Sequence, residues 1–164
     1  MAGERAPDYP AQALSAPGLP GAVLFACTLN AVRSPMAAGL LSYLVGHGVR
    51  VTSAGVRAGL PDPFVMAVMD EIGIDVCDHE PRCFRDLGDE TFDLIITLSP
   101  EAHHHALELT RIMAVDVEYW PTLDATVTMA GQSRQDSADR YRQIRDQLFQ
   151  KIKTRFNVEG GPTV

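Results

Sequence analysis

Four segments of strand length alternate with four segments of helical periodicity along this chain, and this alternation limits the possible folds more than any other feature. The predicted strands cover residues 21–27, 49–54, 92–98 and 115–119, and the predicted helices cover 35–46, 64–72, 100–110 and 137–156. Strands that alternate with helices pair in parallel through right-handed crossovers, with helices on both faces of the sheet. The sequence therefore predicts an α/β fold, a three-layer, doubly wound sandwich around a central four-stranded parallel sheet.

The two ends of the chain differ from the part between them. Residues 1–20 contain four prolines and no sustained periodicity, and residues 157–164 read NVEGGPTV. Segments of this composition bury too little apolar surface to become ordered. We therefore expect one domain over residues 21–156, a mobile N-terminal arm over 1–20 and a flexible tail over 157–164.

The charge balance excludes several classes of partner. Lysine and arginine number 14 against 21 aspartates and glutamates, which gives a formal net charge of −7. Nucleic acids and anionic membranes are bound by basic surfaces, so we expect neither as a partner. The chain shows no signal peptide and no run of about 20 apolar residues, so we expect a cytoplasmic protein. Nothing in the sequence indicates an oligomeric state.

The segment after the first predicted strand carries the strongest chemical signal. It reads CTLNAVRS from Cys27 to Ser34 and leads directly into a predicted helix. Parallel sheets bind ligands outside the carboxyl ends of their strands, and a helix N-terminus attracts anions. Arg33 offers a planar fork for two phosphate oxygens, and a cysteine in such positive surroundings is typical of a nucleophile. The alternative is that Cys27 is a buried structural cysteine and Arg33 a solvated helix residue.

Four motifs, in order along the chain, resemble one known family. They are CTLNAVRS at 27–34, VTSAG at 51–55 with PDP at 61–63, GID at 73–75 followed by His79 and Arg82, and YWPTLDA at 119–125. Together they are similar to the low-molecular-weight protein tyrosine phosphatases and the related thioredoxin-coupled arsenate reductases. The resemblance extends over about residues 22–156.

This resemblance implies a metal-free phosphatase without a cofactor, acting on a phosphorylated protein or a small phosphomonoester. Cys27 would attack phosphorus to form a phosphocysteine, and Asp124 would protonate the leaving oxygen and then activate water. Arg33 would hold the phosphate oxygens together with the rest of the segment, namely Thr28, Leu29, Asn30, Ala31, Val32 and Ser34. Asn30 would also keep the loop in shape, and Ser53 and His79 would support it through hydrogen bonds.

The sequence departs from the family pattern at several positions. Leu29 stands where the family has glycine, and leucine would cost about 1–2 kcal/mol if that position required a positive φ. Val32 replaces a second loop cysteine, so we expect no disulfide partner for Cys27 within its own loop. Ala125 replaces the proline after the acid. Thr126 and Val127 stand where tyrosine-specific members have paired tyrosines, so phosphotyrosine is not singled out as the substrate.

Two other functions remain open. An arsenate reductase needs two further cysteines to relay a disulfide. Cys77 and Cys83 precede the third predicted strand, whereas the family's relay pair follows it, where this chain has Leu98 and Ser99. A non-catalytic phosphate-binding or phosphoprotein-binding module is the other alternative. The three histidines at 103–105 do not indicate a metal site, because consecutive helical residues point about 100° apart, and we expect a solvated helix surface there.

Overall fold

The computed structural model describes residues 19–127 and 130–158. Residues 1–18 of the expected N-terminal arm and 159–164 of the expected tail lie outside the described residues. At the two ends of the described chain, Leu19 and Val158 both pack against the hydrophobic core.

Four parallel strands form one sheet, flanked by four α-helices. The strands are β1 (Ala22–Cys27), β2 (Arg50–Gly55), β3 (Leu94–Thr97) and β4 (Asp116–Tyr119), and the helices are α1 (Arg33–Val45), α2 (Pro63–Asp70), α3 (Pro100–Leu109) and α4 (Arg134–Phe156). The strand order is β2-β1-β3-β4. This arrangement confirms the predicted α/β fold with its four-stranded parallel sheet.

Side chains of β1 alternate between two separate cores, which makes the molecule three layers deep. Val23 and Phe25 pack with residues of α1, α2 and α4 on one face of the sheet. Leu24 and Ala26 pack on the other face, with α3 and the short 3₁₀ helix Phe84–Leu87. Because all six residues of β1 are buried, this strand is central, and the loop that follows it emerges from the middle of the sheet.

Three of the helices begin at side-chain caps. Asp62 accepts a hydrogen bond from the N–H of Phe64 before α2, and Ser99 accepts one from the N–H of Ala102 before α3. Ser133 and Asp136 form a reciprocal capping box, so α4 begins at residue 134 instead of the predicted 137. Although α4 has 23 residues, no helix within the described ranges is both long and apolar enough to cross a membrane.

Helix α1 begins differently from the other three. It starts at Arg33, two residues before the predicted start, and Val32 at its N-cap supplies no side-chain hydrogen bond. The first N–H groups of a helix have no partner within the helix. Helix α1 therefore presents free donors at the carboxyl end of β1.

Candidate active site

Residues 27–34, which we call the cysteine loop, connect β1 to α1. The Cys27 side chain is buried, and its Sγ lies 3.0 Å from Ser34 Oγ. Ser34 is also buried, at the start of α1. Since a hydroxyl can donate to sulfur, this contact suits a cysteine that reacts as a thiolate.

Four consecutive carbonyl groups of the cysteine loop accept hydrogen bonds from outside it. The donors are Val56 N to Cys27 O (3.1 Å), Arg57 N to Thr28 O (2.9 Å), Gly59 N to Leu29 O (2.8 Å) and His79 Nε2 to Asn30 O (2.8 Å). In a trans peptide the next N–H points away from the carbonyl oxygen. The N–H groups of residues 28–31 are therefore directed toward the interior of the loop, where they can bind an anion.

Asn30 fixes the middle of the cysteine loop. It has a φ of 53°, in the left-handed region that asparagine tolerates better than most residues. Its Nδ2 donates to Ser34 Oγ at 2.8 Å and to Ser53 Oγ at 2.9 Å, and its Oδ1 accepts from Arg82 N at 2.9 Å. Leu29 has no positive φ, so leucine at that position does not cause the backbone strain that the family's glycine suggested.

Gly55 allows the cysteine loop to lie directly against the end of β2. A Cβ at this position would be 2.7 Å from the backbone nitrogen of Asn30 and 2.9 Å from the carbonyl carbon of Leu29. No side chain fits in that space. The glycine of the VTSAG motif is therefore required by the close approach of two backbones.

Arg33 extends from the start of α1 to the loop after β4. The residue is 9% exposed, and its Nη1 donates to the carbonyl oxygen of Thr122 at 3.0 Å. This bond places the guanidinium beside the residues that precede Asp124. The other two loop residues predicted to bind substrate, Ala31 and Val32, lie between Asn30 and Arg33, and Val32 packs its side chain into the core.

Asp124 lies in the loop 120–127, which we call the acid loop. Its Oδ1 accepts hydrogen bonds from Thr126 N at 2.9 Å and from Thr126 Oγ1 at 2.6 Å. Partial burial raises the pKa of Asp124, but the bonds from Thr126 and the charge of Arg33 outweigh it and lower this pKa below its usual value. The structure thus brings an ionised carboxylate to the same end of the sheet as Cys27 and Arg33.

Arg140 holds the acid loop from α4, although its place among alternating charges on the last helix predicts only an exposed, charge-paired face. Its Nε donates to the carbonyl oxygen of Ala125 at 3.3 Å, and the Ala125 side chain is fully buried. Arg82 also acts through the backbone, because its N–H binds Asn30 and its carbonyl accepts from Gly55 N at 2.9 Å. For Arg82, its place in the HxxR motif was the only sequence signal.

Cys83 is not placed to form a disulfide with Cys27. The backbone of Gly55 pairs with that of Cys27 on one side, in the β1–β2 ladder, and with that of Cys83 on the other side, in an isolated bridge. Two strand spacings separate the Cα atoms of Cys27 and Cys83 by about 10 Å, whereas a disulfide needs about 7 Å or less. Cys77 is exposed, and hydrogen bonding to the Asp75 carboxylate raises the pKa of its thiol.

Ser99 follows β3, in the segment where the resemblance to the arsenate reductases implies relay cysteines. Its Oγ accepts hydrogen bonds from Thr28 Oγ1 at 3.0 Å and from Ala102 N at 3.2 Å. The residue therefore contacts the cysteine loop and caps α3. A hydroxyl cannot form a disulfide, so this position has no redox role here.

The three consecutive histidines differ in their surroundings. His103 Nδ1 lies 2.9 Å from Thr97 Oγ1, and its ring stacks on Tyr119. His105 stacks on Phe84, and only His104 is exposed. The prediction of a solvated surface is thus right for His104 and wrong for its two neighbours. Within the described part of the chain, no three His, Cys, Asp or Glu residues are grouped to hold a metal ion.

The family model for low molecular weight phosphotyrosine protein phosphatases matches residues 22–158. The chain belongs to this family. Among curated relatives, arsenate reductase 2 of Staphylococcus saprophyticus is 29% identical over 131 residues, 80% of this chain and 92% of that protein. The glutaredoxin arsenate reductase of Synechocystis is 32% identical over 76 residues, which span 46% of this chain and only 58% of that protein.

Solved structures of the family have the same fold. A tyrosine phosphatase of Erwinia amylovora superposes with a TM-score of 0.68 at 18% identity, over 87% of this chain and 95% of that one. Identity this low establishes the fold alone. The curated relatives are named arsenate reductases, whereas this structural neighbour is a tyrosine phosphatase.

Proposed function

We propose that the protein is a cysteine-dependent phosphatase that hydrolyses phosphomonoesters through a phosphocysteine intermediate. The observation that carries this proposal is the position of Cys27 Sγ at the base of a loop whose N–H groups point inward, with Arg33 at its end. Such a loop binds the three non-bridging oxygens of a phosphate and stabilises the charge that develops on them during transfer.

In the first chemical step, the Cys27 thiolate attacks phosphorus and the bond from phosphorus to the leaving oxygen breaks. Asp124 gives its proton to that oxygen. In the second step, Asp124 takes a proton from water, the resulting hydroxide attacks phosphorus, and the sulfur–phosphorus bond breaks. Inorganic phosphate leaves and the thiolate is restored, with Ser34 Oγ in position to donate to it at 3.0 Å.

Asp124 has to be protonated for the first step and ionised for the second. Its lowered pKa in the free protein suits the second step. A bound phosphate ester brings negative charge close to the carboxylate, and a like charge raises the pKa of a carboxyl group. Binding of substrate itself therefore supports the protonated form that the first step requires.

Arsenate reduction is the second candidate, because both curated relatives described above carry that name. It needs a cysteine able to attack the adduct on Cys27. The segment after β3, where the resemblance implies the relay cysteines, has Leu98 and Ser99 instead. The Cα of Cys83 lies about 10 Å from that of Cys27 by the sheet spacing. The lack of a cysteine after β3 and the long distance between Cys27 and Cys83 favour the phosphatase over the reductase.

The test is hydrolysis of para-nitrophenyl phosphate without added metal, with wild type, Cys27→Ser and the control Cys77→Ser. We expect turnover in wild type and the control and none in Cys27→Ser. Arsenate turnover with thioredoxin that is lost in Cys83→Ser would establish the reductase instead. Phosphate binding with neither activity would identify a binding module.

A further inference from the structure

We propose that Leu29, Leu60 and Leu123, which we call the aliphatic rim, bind apolar residues on both sides of the phosphorylated side chain of a protein substrate. This proposal rests on the proposed function and names its substrate class. The partner is a phosphorylated segment with apolar neighbours, as opposed to an acidic one.

The exposure of these leucines is the first observation. Leu60 is 83% exposed, Leu123 is 78% exposed and Leu29 is 43% exposed. Of the eight large exposed hydrophobic residues in the described ranges, these three and Val127 belong to three loops at one end of the sheet. Isolated exposed apolar residues are ordinary, but a group around a binding site marks a contact surface.

The sheet order places the rim on both sides of Cys27. Leu60 follows β2 and Leu123 follows β4, whereas Cys27 ends β1, which lies between β2 and β4 in the order β2-β1-β3-β4. A phosphorylated residue whose phosphate enters the cysteine loop therefore has Leu60 on one side and Leu123 on the other.

Backbone contacts hold both leucines close to the cysteine loop. Gly59, next to Leu60, donates its N–H to the carbonyl oxygen of Leu29 at 2.8 Å. The two residues are so close that a Cβ added to Gly59 would lie 3.0 Å from Leu29 Cβ. Thr122, next to Leu123, accepts the bond from Arg33 Nη1 at 3.0 Å. The backbones next to both leucines thus contact the segment that would bind the phosphate.

The overall charge of the chain disfavours acidic substrate segments. Asp124 is adjacent to Leu123, and the nearby Arg57 is paired with Glu101 at 3.3 Å. The whole chain carries a net charge of −7, which repels acidic partners over a distance. Apolar neighbours of the phosphate avoid this repulsion and cover the exposed leucines.

The experiment compares three phosphotyrosine peptides that differ only in the two residues on each side of the phosphotyrosine, which are leucine, glutamine or glutamate. We expect kcat/KM for the leucine peptide to exceed that for the glutamine peptide by about tenfold, the effect of partly burying leucine side chains on both partners. Leu60→Ala and Leu123→Ala should each reduce this ratio about threefold. Because both kcat/KM values in this ratio are measured with the same variant, the ratio does not depend on the fraction of that variant that is folded.

Ile112→Ala is the matched control, because Ile112 is also 78% exposed but lies between α3 and β4, at the opposite end of the sheet. Its ratio should equal that of wild type. Equal kcat/KM for the leucine and glutamine peptides, a preference for the glutamate peptide, or a leucine preference that survives both rim substitutions would overturn the proposal.

Failure of the proposed function has a separate signature. If wild type does not hydrolyse para-nitrophenyl phosphate, the phosphatase proposal fails. The rim is then tested by the dissociation constants of the same three peptides, measured by fluorescence anisotropy. The same tenfold preference is expected, and equal dissociation constants would overturn the rim proposal.

Discussion

His79 Nε2 lies 2.8 Å from the carbonyl oxygen of Asn30, the residue with positive φ in the middle of the cysteine loop. A carbonyl oxygen only accepts, so Nε2 carries the hydrogen of this bond. The peptide that His79 holds is the one whose N–H, on Ala31, points into the loop. We therefore infer that His79 is a positioning residue, which holds, from outside the cysteine loop, the N–H groups proposed to bind phosphate.

His79→Ala should lower kcat/KM for para-nitrophenyl phosphate about tenfold, because the Asn30 carbonyl loses its partner. The inhibition constant of inorganic phosphate should rise by a similar factor. His79→Gln keeps an N–H donor at a similar distance and should recover most of the loss. The exposed His104→Ala is the control, and a glutamine variant as impaired as the alanine variant would contradict the positioning role.

Arg33→Lys should lower kcat/KM about 100-fold while leaving the melting temperature close to that of wild type. A lysine keeps the positive charge but cannot form two parallel hydrogen bonds to phosphate, nor reach the Thr122 carbonyl at the same time. Arg111→Lys, at an exposed position two residues after the end of α3, is the matched control. Activity of the Arg33 variant close to wild type would remove this residue from the proposed role.

Asp124→Asn should reduce kcat/KM for phenyl phosphate about 100-fold, because a poor leaving group needs a proton. For 2,4-dinitrophenyl phosphate the loss in kcat/KM should be small, since its leaving group departs as an anion. Steady-state kinetics on the two substrates measure this difference, with Asp89→Asn as the control. Equal losses on both substrates would count against the general-acid role.

Thr126→Val should move the pH dependence of kcat/KM to higher pH. The hydroxyl of Thr126 bonds to the Asp124 carboxylate at 2.6 Å and helps to lower its pKa, so its removal raises that pKa. Protonated Asp124 then persists to higher pH, and the descending limb shifts upward. Thr110→Val removes an exposed hydroxyl that donates to the carbonyl oxygen of Leu107 at the end of α3, and it should leave the profile unchanged.

Glu71 should make the stability of the fold depend on pH. Hydrogen bonds from Arg142 are the largest cause of its lowered pKa, and Arg145 adds to them, while burial opposes. The folded value lies below the ordinary 4.5. The stabilisation is therefore complete above about pH 4.5 and is lost as pH falls through the folded value.

Urea unfolding of wild type and Glu71→Gln between pH 3 and 7 measures this effect. The difference in free energy of unfolding should be largest at neutral pH and should shrink on acidification. Glu80→Gln, on the exposed surface, should show no such change. A difference that is constant over the range would contradict the assignment.

The sequence predicted the sheet because periodicity reports directly on burial. The predicted positions of the four strands and four helices agree with the structure. The largest difference is at the start of α4, where the capping box of Ser133 and Asp136 begins the helix before the predicted residue 137. For the site, the sequence indicated the side chains but not the backbone bonds that shape the cysteine loop. The N–H groups of Val56 and Arg57 act regardless of their side chains, so no residue pattern reveals them.

Positive φ illustrates the same point within the loop. The family pattern has a glycine at the position of Leu29, which suggests a positive φ there. The left-handed residue is instead Asn30, whose side-chain amide makes three hydrogen bonds, to Ser34, Ser53 and Arg82. Those bonds depend on residues 4, 23 and 52 positions away along the chain. Only the folded arrangement shows that they converge.

The outward carbonyl bonds of the cysteine loop also connect ligand binding to folding. Their donors come from residues 56–59 and from His79, on segments that approach the loop only after β2 has paired with β1. In an unfolded or partly folded chain, the N–H groups of the cysteine loop are therefore not arranged to bind an anion. We therefore expect inorganic phosphate to bind the native state alone, and the melting temperature of the protein to rise with phosphate concentration by mass action.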